Sequence, residues 1–143
     1  MLTTYKKLIE FFSLANNYLQ SAEESKEKDT PLSDALTDAI EEWKPNIQKY
    51  NKQLDRLRRK FAEKDKKTTV LLKDAHGHYL FTEDGENRLD DAIEELQDEE
   101  IHIETNCIDQ VPEDLHRGYL KGFKGFVIDP NYQPPNKDKE EKK

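Results

Sequence analysis

Four histidines and one cysteine are the residues of this chain best suited to metal binding. His76 and His78 are separated by one glycine in a predicted turn, whereas His102, His116 and Cys107 lie far along the chain. Zinc sites use about four ligands, which recur at short spacings such as CxxC or HxxxH. Because these residues do not follow such a pattern, we expect no metal ion and no other cofactor, and we interpret the histidines as exposed to solvent.

The sequence also lacks the surroundings that catalytic side chains need. A nucleophilic thiol requires a neighbouring base and a positively charged setting that lowers its pKa. The neighbours of Cys107 include Glu104 and Asp109, which raise the pKa of a thiol, so we predict a half-buried structural cysteine. The acidic pairs at 90–91 and 94–95 lie on a predicted helix without an apolar pocket, and we interpret them as a solvated face. We therefore expect a non-enzymatic protein without a small-molecule substrate.

The composition of the 143-residue chain favours long helices over a wide layered core. Hydrophobic residues make up 34% of the chain and charged residues 38%, whereas soluble domains average roughly 45–50% apolar and about 25% charged. A narrow buried stripe along a helix suits such a composition. The formal net charge of -8 disfavours nonspecific binding to nucleic acid or to an anionic membrane. The single cysteine excludes an intramolecular disulfide and favours a reducing compartment, the cytoplasm.

The first predicted helix covers residues 4–24, and the polar segment 21–29 is the predicted turn after it. Apolar residues recur every three or four positions in this helix, which indicates an amphipathic helix and not a secretory signal. No stretch of the sequence reaches the roughly 20 apolar residues of a membrane span, so we expect no membrane partner. The apolar stripe consists of Leu8, Phe12, Ala15, Leu19 and Ala22, widened by Tyr5, Ile9 and Phe11.

The second predicted helix, residues 31–63, carries the most regular pattern in the sequence. Thr30 is the predicted N-cap, and Pro31 occupies the first helical position, where its missing N–H is not needed. Eight apolar residues then follow at alternating spacings of four and three, which is typical of a heptad seam. Pro45 removes a helical hydrogen bond, but because the phase survives across it we predict a kinked, continuous helix. The seam residues are Leu36, Ile40, Trp43, Ile47, Tyr50, Leu54, Leu57 and Phe61.

The two predicted helices differ in length, which leaves part of the seam without a partner. At a rise of about 1.5 Å per residue, the first helix spans about 31 Å and the second about 50 Å. A long antiparallel helical hairpin over residues 4–64 therefore leaves Leu54, Leu57 and Phe61 uncovered. We expect the C-terminal half of the chain or a second copy to cover them, and we predict that these three residues take part in an interaction.

The C-terminal half is predicted to form a small α/β cap over residues 68–129. Residues 68–73 and 79–82 are β-rich and flank a turn, which predicts a hairpin. Residues 83–87 are expected to break the pattern before a helix that ends near residue 100. Apolar residues alternate at 101–105, which predicts a strand and makes it a candidate third strand beside the hairpin.

The last third of the chain combines a short helix, a docking segment and a tail. A helix is predicted to open at Pro112, and three glycines make residues 118–126 unsuited to one regular helix. Residues 130–143 are predicted to be a disordered tail. We therefore predict a single α+β, mainly α domain over residues 1–129, built from the helical hairpin and the cap. The residues expected to dock as a strand or loop are Phe123, Phe126, Val127 and Ile128.

Charge is distributed unevenly along the chain. Residues 44–67 contain ten Lys or Arg and three acidic residues, whereas residues 83–114 contain fourteen acidic residues and one Arg. In one interpretation the acidic helix packs near the basic half of the second helix, and each compensates the other. In a second, the basic segment from Arg56 to Lys60 contacts nucleic acid phosphates, with Arg56, Arg58 and Arg59 as the candidate interaction residues. In a third, the acidic surface meets a basic partner or mimics DNA.

Three segments, in this order, resemble a small family of uncharacterised proteins encoded by tailed phages and prophages. The first is Leu36 followed by the WKPNI sequence at 43–47, within a long charged helix. The second is KDAHGHY at 73–79, between two short strands, and the third runs from IEEL at 93–96 to EEIHI at 99–103. The resemblance covers roughly residues 30–115. It implies a phage context, in the host cytoplasm or the virion, and no particular chemistry.

These observations predict a protein-interaction or assembly module, and the resemblance implies that it is encoded by a phage. Its partner is expected to be another protein or a second copy of the chain, in a homo-oligomer. The alternative is a nucleic-acid-related regulator. Such a regulator either binds nucleic acid through the basic helix or mimics DNA through its acidic surface.

Overall fold

A computed structural model describes residues 1–24 and 30–134 of the chain. Within these residues the chain is mainly helical, with four helices and a small two-stranded sheet, which confirms the predicted α+β, mainly α class. None of the described helices is long and apolar enough to cross a membrane. The elements are β1 (Leu2–Thr4), α1 (Tyr5–Glu24), α2 (Pro31–Phe61), α3 (Glu83–Gln97), β2 (Glu100–His102) and α4 (Arg117–Phe123).

The chain divides into two compact units. Unit 1 comprises the described residues of Met1–Thr3, Lys7–Trp43 and His102–Lys143, and unit 2 comprises Thr4–Lys6 and Lys44–Ile101. The division falls inside α2, after Trp43. The single domain over residues 1–129 stays a prediction.

The helix α2 is continuous through Pro45, as predicted. Thr30 caps its N-terminus, because the Thr30 hydroxyl oxygen accepts a hydrogen bond from the Ser33 N–H at 3.1 Å. Pro31 is its first residue. Each of the eight seam residues is buried or half-buried, so the predicted apolar seam is confirmed.

The order of contacts shows that α1 and α2 run in opposite directions. In unit 1, the ring of Phe11 in α1 lies 5.4 Å from the ring of Trp43 in α2. In unit 2, Tyr5, earlier in α1, lies 5.3 Å from Tyr50, later in α2. Residues that come earlier in one helix thus meet residues that come later in the other, as expected of an antiparallel helical pair.

The core of unit 1 is a cluster of aromatic rings from several elements. Phe11 stacks on Phe126 with ring centroids 4.7 Å apart, and it meets Phe123 edge-on at 5.8 Å. Trp43 is 3% exposed, and its indole N–H donates to the Glu104 carbonyl at 3.1 Å. That hydrogen bond satisfies the polar atom of an otherwise apolar ring, so the tryptophan is buried without an unpaired donor.

The glycine-rich residues 118–126 do not form one regular helix, as predicted, because the helix that contains their first part ends at Phe123. The helix α4 covers Arg117–Phe123, later than the predicted opening at Pro112. His116 caps it, since the His116 Nδ1 accepts from the Gly118 N–H at 3.0 Å. A Cβ at Gly122 would collide with the side chain of Leu14 in α1. Glycine at this position therefore lets α4 lie close to α1.

After α4 the chain reverses, and the segment predicted to dock is buried. Gly125 has a φ of 86°, which glycine adopts without a steric penalty. Its N–H donates to the Ile128 carbonyl at 2.7 Å, which holds the turn. Phe126, Val127 and Ile128 are then 6%, 2% and 0% exposed. The prediction of a docking loop is confirmed for these three residues, whereas Phe123, which is also buried, is the last residue of α4.

The helix α3 begins at Glu83, so residues 83–87, expected to break the pattern, form its first turns. Thr82 is the N-cap, because its hydroxyl oxygen accepts from the Gly85 N–H at 3.0 Å. The acidic residues of the first turn lie at the positive end of the helix dipole, which stabilises them there. The sequence prediction did not include this cap.

The predicted hairpin is present as a turn with isolated bridges, and its strands are not regular. Lys73 pairs with Tyr79 in an antiparallel bridge. Three backbone hydrogen bonds also close a ring among three segments. The Glu63 N–H donates to the Leu80 carbonyl, the Leu80 N–H to the Leu72 carbonyl, and the Leu72 N–H to the Glu63 carbonyl, at 2.8, 3.0 and 2.9 Å.

The strand predicted at 101–105 is present as β2, at Glu100–His102, but its predicted partner is wrong. It pairs with β1 at the N-terminus instead of the hairpin. Beside this pair, the Ile103 N–H donates to the Met1 carbonyl at 2.9 Å, and the Met1 amino group donates to the Ile103 carbonyl at 2.8 Å. Alternation of apolar residues predicts a strand without identifying its neighbour.

Two predictions fall partly on residues outside the structure's description. The predicted turn at 21–29 includes residues 25–29, and the predicted disordered tail at 130–143 includes residues 135–143. At the start of that tail, the Tyr132 N–H donates to the Asp129 carbonyl at 2.9 Å. This bond forms a turn at residues 129–132.

Candidate interaction groove

The half-buried end of the α2 seam forms one wall of a groove in unit 2, and α3 supplies much of the other wall. The groove has a volume of about 670 Å³. Its apolar lining consists of Leu57 and Phe61 from α2, and Ala92 and Leu96 from α3. On each helix these residues are four positions apart, so each wall carries a ridge of the kind against which another helix packs. We call this feature the unit 2 groove.

Two contacts fix the direction of α3 along the groove. The Gln97 side-chain amide donates to the Tyr50 hydroxyl at 3.3 Å. A Cβ at Gly85 would lie 2.8 Å from the Phe61 carbonyl oxygen, so the helices also approach closely there. The beginning of α3 therefore lies beside the end of α2, and the end of α3 lies beside Tyr50. The two helices are antiparallel.

The charged residues of the groove form two groups of opposite sign. Glu95, Asp98 and Glu99 come from the end of α3 and the residues after it, and we call them the anionic end. Arg56 and Lys60 come from α2, and we call them the cationic end. All five residues are exposed. Because α3 is antiparallel to α2, the anionic end lies towards Tyr50 and the cationic end towards Phe61.

The expected compensation between the acidic and basic segments is not made by direct ion pairs here. In the part of the chain that the structure describes, the charged residues of α2 and α3 form two ion pairs within 4.0 Å, which join Arg59 to Asp55 and Arg88 to Asp84. Neither of them joins the anionic end to the cationic end. Both groups therefore face the groove with their charges accessible to a partner.

The anionic end also lies at the negative end of a helix dipole. The last turn of α3 contains no basic residue, so its carbonyl groups and the three carboxylates repel one another. The last turn of α2 differs, because Arg58, Arg59 and Lys60 lie where a helix favours cations. The charge of Glu99 also acts on Tyr5, whose pKa is raised first by burial and then by this carboxylate.

The three apolar residues predicted to interact are only partly covered by the chain. Leu54, Leu57 and Phe61 are all half-buried, and Leu57 and Phe61 line the groove whereas Leu54 does not. The C-terminal half of the chain supplies part of their cover, through α3. The role of these residues in an interaction stays a prediction. One interpretation of the charge distribution placed the acidic helix near the basic half of α2, and α3 does lie there, but a groove between the two helices was not predicted.

The three arginines predicted to interact lie in different settings. Arg56 lines the groove. Arg58 and Arg59 are exposed outside its lining, and the Arg59 guanidinium pairs with Asp55 at 3.1 Å, one helical turn earlier. Lys60, in the same predicted basic segment, also lines the groove, and its ammonium lies 5.3 Å from the centre of the Phe61 ring.

The histidine-containing turn has a structural explanation. The Asp74 carboxylate accepts hydrogen bonds from the His78 N–H at 3.0 Å and from the His76 N–H at 2.8 Å. These two bonds lower the pKa of Asp74. Among the described residues, no group of three or more His, Cys, Asp or Glu side chains is placed to hold a metal ion.

Cys107 is exposed, which corrects the prediction of a half-buried thiol. It lines a depression of about 340 Å³ in unit 1 together with Asp34, Asp38 and Glu42. Desolvation of the sulfur, followed by the charge of Asp129, raises the pKa of the thiol. A raised pKa lowers the thiolate fraction near neutral pH, which opposes a nucleophilic role.

The unit 2 groove offers apolar side chains flanked by exposed charges of both signs. This arrangement is typical of a protein-binding surface, with an apolar centre and a polar rim. No protein-family model, no curated protein and no solved structure matches this chain.

Proposed function

We propose that this chain is a protein-interaction module that binds a helical segment of another protein in the unit 2 groove. The observation that carries the proposal is the uneven cover of one apolar seam. Leu36 and Trp43 are 0% and 3% exposed, whereas Leu57 and Phe61, on the same seam, line an open groove. Exposed apolar surface rimmed by charges is a common mark of a binding site.

The shape of the groove supports a helix as its occupant. Leu57 and Phe61 form one ridge and Ala92 and Leu96 form the other, and a third helix can lay an apolar stripe between two such ridges. Complete burial of a Leu or Phe side chain stabilises by about 1.5–3 kcal/mol. Because Leu57 and Phe61 are already half-buried and Leu96 is buried, the apolar contacts supply only part of the binding energy, and the charged rim supplies specificity.

We propose a phage-encoded assembly context for this interaction, in the host cytoplasm or the virion. The support is the resemblance of residues 30–115 to proteins of tailed phages. The gene neighbourhood tests this context. Tail genes nearby favour an assembly role, and a neighbourhood without phage genes contradicts it.

Charge introduced into the groove tests the binding role. A partner isolated by pull-down from the native host is purified, and its affinity is measured by calorimetry with the wild-type chain, Leu57→Asp and Val70→Asp. Val70 is a matched control because it is apolar, 61% exposed and in unit 2, but outside the groove lining. We expect Leu57→Asp to weaken binding by at least roughly tenfold, about 1.4 kcal/mol, and Val70→Asp to leave it unchanged.

Two results contradict this proposal. If Leu57→Asp binds the partner as tightly as the wild type does, the groove is not the contact surface. Size-exclusion chromatography with light scattering supplies the second test. A wild-type dimer that Leu57→Asp converts to a monomer identifies a second copy, and not another protein, as the occupant.

A second candidate function is nucleic-acid binding through the basic half of α2. The observation that favours it is that the basic side chains from Lys44 to Lys60 are all exposed to solvent. Binding of this kind weakens steeply between about 50 mM and about 200 mM salt, since phosphate contacts release counterions. Filter binding with the wild type and with an Arg56→Ala, Arg58→Ala, Arg59→Ala triple variant measures it. Absence of binding at the lower salt concentration removes this candidate.

The same candidate has a second form, in which the exposed carboxylates of α3 mimic DNA. A mimic competes with DNA for a nucleic-acid-binding protein. A competition assay with DNA-binding proteins of the host tests this form, and failure to displace DNA from them contradicts it.

A further inference from the structure

The charges of the unit 2 groove point to the chemistry of its occupant. We infer that the bound helix is bipolar, with Lys or Arg side chains against the anionic end and Asp or Glu side chains against the cationic end. The inference rests on the proposed function, since it describes the partner of that same groove. The prediction of basic side chains rests on the anionic end of the groove, and the prediction of acidic side chains rests on the cationic end.

The anionic end lacks a neutralising group of its own. Glu95, Asp98 and Glu99 lie beside the carbonyl end of α3, whose last turn contains no basic residue. Within the described chain, none of the three forms an ion pair. Like charges gathered at the negative end of a helix are unfavourable in the free protein. Cationic side chains of a partner remove that repulsion on binding, so they are the groups this end selects.

The cationic end is held against the apolar lining. The Lys60 ammonium lies 5.3 Å from the centre of the Phe61 ring, so its charge stays next to a residue that the bound helix covers. Arg56 lies one helical turn earlier on the same wall. A carboxylate that docks here meets two cations, with which it can form charge-assisted hydrogen bonds.

The distance between the two ends sets the spacing of charges on the partner. Gln97, next to the anionic end, contacts Tyr50, and the two cations, Arg56 and Lys60, follow Tyr50 by six and ten positions on α2. Six to ten residues of helix correspond to about 9–15 Å. The partner therefore carries its basic and acidic groups roughly six to ten residues apart, with apolar residues three or four positions apart between them to contact Leu57 and Leu96.

A helix with the usual charge order has acidic residues near its N-terminus and basic residues near its C-terminus. Such a helix places its C-terminus at the anionic end. It then runs antiparallel to α2 and parallel to α3.

Three synthetic peptides of roughly 18 residues, about five helical turns, test the inference on the full chain. All share one apolar stripe, and their polar positions are bipolar, entirely acidic or entirely basic. Affinities are measured by fluorescence anisotropy, and circular dichroism checks that the peptides have equal helicity. We expect the bipolar peptide to bind at least roughly tenfold more tightly than either uniform peptide, with an affinity that falls as salt is added.

Two matched triple variants of the chain locate the effect. Glu95→Gln, Asp98→Asn, Glu99→Gln neutralises the anionic end, and Asp90→Asn, Asp91→Asn, Glu94→Gln removes the same charge from exposed positions outside the lining. We expect the first variant to lose most of the preference for the bipolar peptide over the acidic one. We expect the second to retain that preference, because its carboxylates do not face the groove.

The outcomes separate this inference from the proposed function. If the three peptides bind equally and Leu57→Asp abolishes their binding, the groove remains a binding site, but the inference of a bipolar partner is overturned. Tightest binding of the entirely basic peptide, or an equal effect of the two triple variants, overturns it as well. If none of the peptides binds, or if Leu57→Asp does not affect their binding, the groove itself is contradicted, and the inference fails with it.

Discussion

Unit 1 and unit 2 contain successive parts of one apolar seam, and they cover it to different degrees. In unit 1, Trp43 is 3% exposed beneath the rings of Phe11 and Phe126. In unit 2, Leu57 and Phe61 remain half-buried and line a groove of about 670 Å³. A heptad pattern thus indicates which face of a helix is apolar. The degree of burial depends on which other segments reach that face.

The two parts of α2 also differ in charge. Residues 31–43, in unit 1, contain four acidic residues and no Lys or Arg, whereas residues 44–61, in unit 2, contain seven Lys or Arg and one Asp. This order places acids near the positive end of the helix dipole and bases near its negative end, which stabilises α2. The difference teaches that one helix can contribute a closed core at one end and a charged, open surface at the other.

The largest expected effect is in the core of unit 1. Trp43→Ala removes a buried ring and its hydrogen bond to Glu104, and large-to-small core changes of this kind lower the free energy of unfolding by about 3–5 kcal/mol. Leu57→Ala, at a half-buried site of the same seam, is expected to lower it by less than half as much. Urea unfolding followed by circular dichroism measures both. Equal losses at the two sites contradict the difference between the units.

The second effect compares two close approaches at glycine. Gly85→Ala, in unit 2, places a methyl group 2.8 Å from the rigid Phe61 carbonyl oxygen, and overpacking of this kind destabilises by about 1–3 kcal/mol. Gly122→Ala, in unit 1, meets only the flexible side chain of Leu14. We expect thermal unfolding to show the greater loss for Gly85→Ala. A greater loss for Gly122→Ala breaks the prediction that the wall of the groove is the stiffer contact.

The third effect concerns the cap of the groove's second helix. Thr82→Ala removes the hydroxyl oxygen that accepts from the Gly85 N–H at 3.0 Å, and the loss of such an N-cap lowers stability by about 1 kcal/mol. Thr37→Ala is the control, because Thr37 lies within α2 and its hydroxyl only donates to the Ser33 carbonyl. We expect it to change stability by less than about 0.5 kcal/mol. Hydrogen exchange of the α3 amides locates the difference.

The smallest effect is a response to acid in unit 2. Backbone hydrogen bonds lower the pKa of Asp65 and of Asp74 below 3.8 in the folded chain. Their contribution to stability is therefore present above the unfolded pKa and is lost as the pH falls through the lower, folded pKa. The amides of His76 and His78 are expected to lose exchange protection below pH 3.8.

The fluorescence of Trp43, the chain's single tryptophan, reports on unit 1 during the same titration. We expect it to change little while the turn amides lose protection. Asp74→Asn should remove the acid response of the turn, because an amide does not titrate in this range. A parallel change of the fluorescence and of the turn amides contradicts a response confined to unit 2.

Local signals in the sequence were sufficient for α2. Thr30, Pro31 and the seam specify its start and its buried face without reference to any other segment, because capping and helical periodicity are properties of neighbouring residues. The burial of Phe126 and Ile128 could also be predicted from the sequence, because both side chains are large and apolar. The start of α3 was misplaced because residues 83–87 were expected to break the pattern, and the Thr82 cap directly before them was not recognised.

The remaining features depend on contacts that sequence patterns do not specify. β2 pairs with β1, and alternation at 101–105 carries no information about which distant strand supplies the hydrogen bonds. The unit 2 groove depends on how α3 crosses the end of α2, which is set by the close approach at Gly85 and the Tyr50–Gln97 hydrogen bond. Leu57, Phe61 and Arg56 were therefore identified from one helix, whereas the interpretation that placed the acidic helix nearby did not indicate which of its carboxylates line the groove.

The ring of backbone hydrogen bonds among Glu63, Leu72 and Leu80 has a practical consequence for labelling this protein. The ring holds three points of the chain together, and its hydrogen bonds do not depend on the number of residues between Leu72 and Leu80. An epitope grafted next to Gly77, where a Cβ would meet no atom within 4 Å, extends only the tip of that segment. Doubling the length of a flexible loop costs about 0.6 kcal/mol, so we expect the grafted chain to fold and to carry its reporter without altering either wall of the groove.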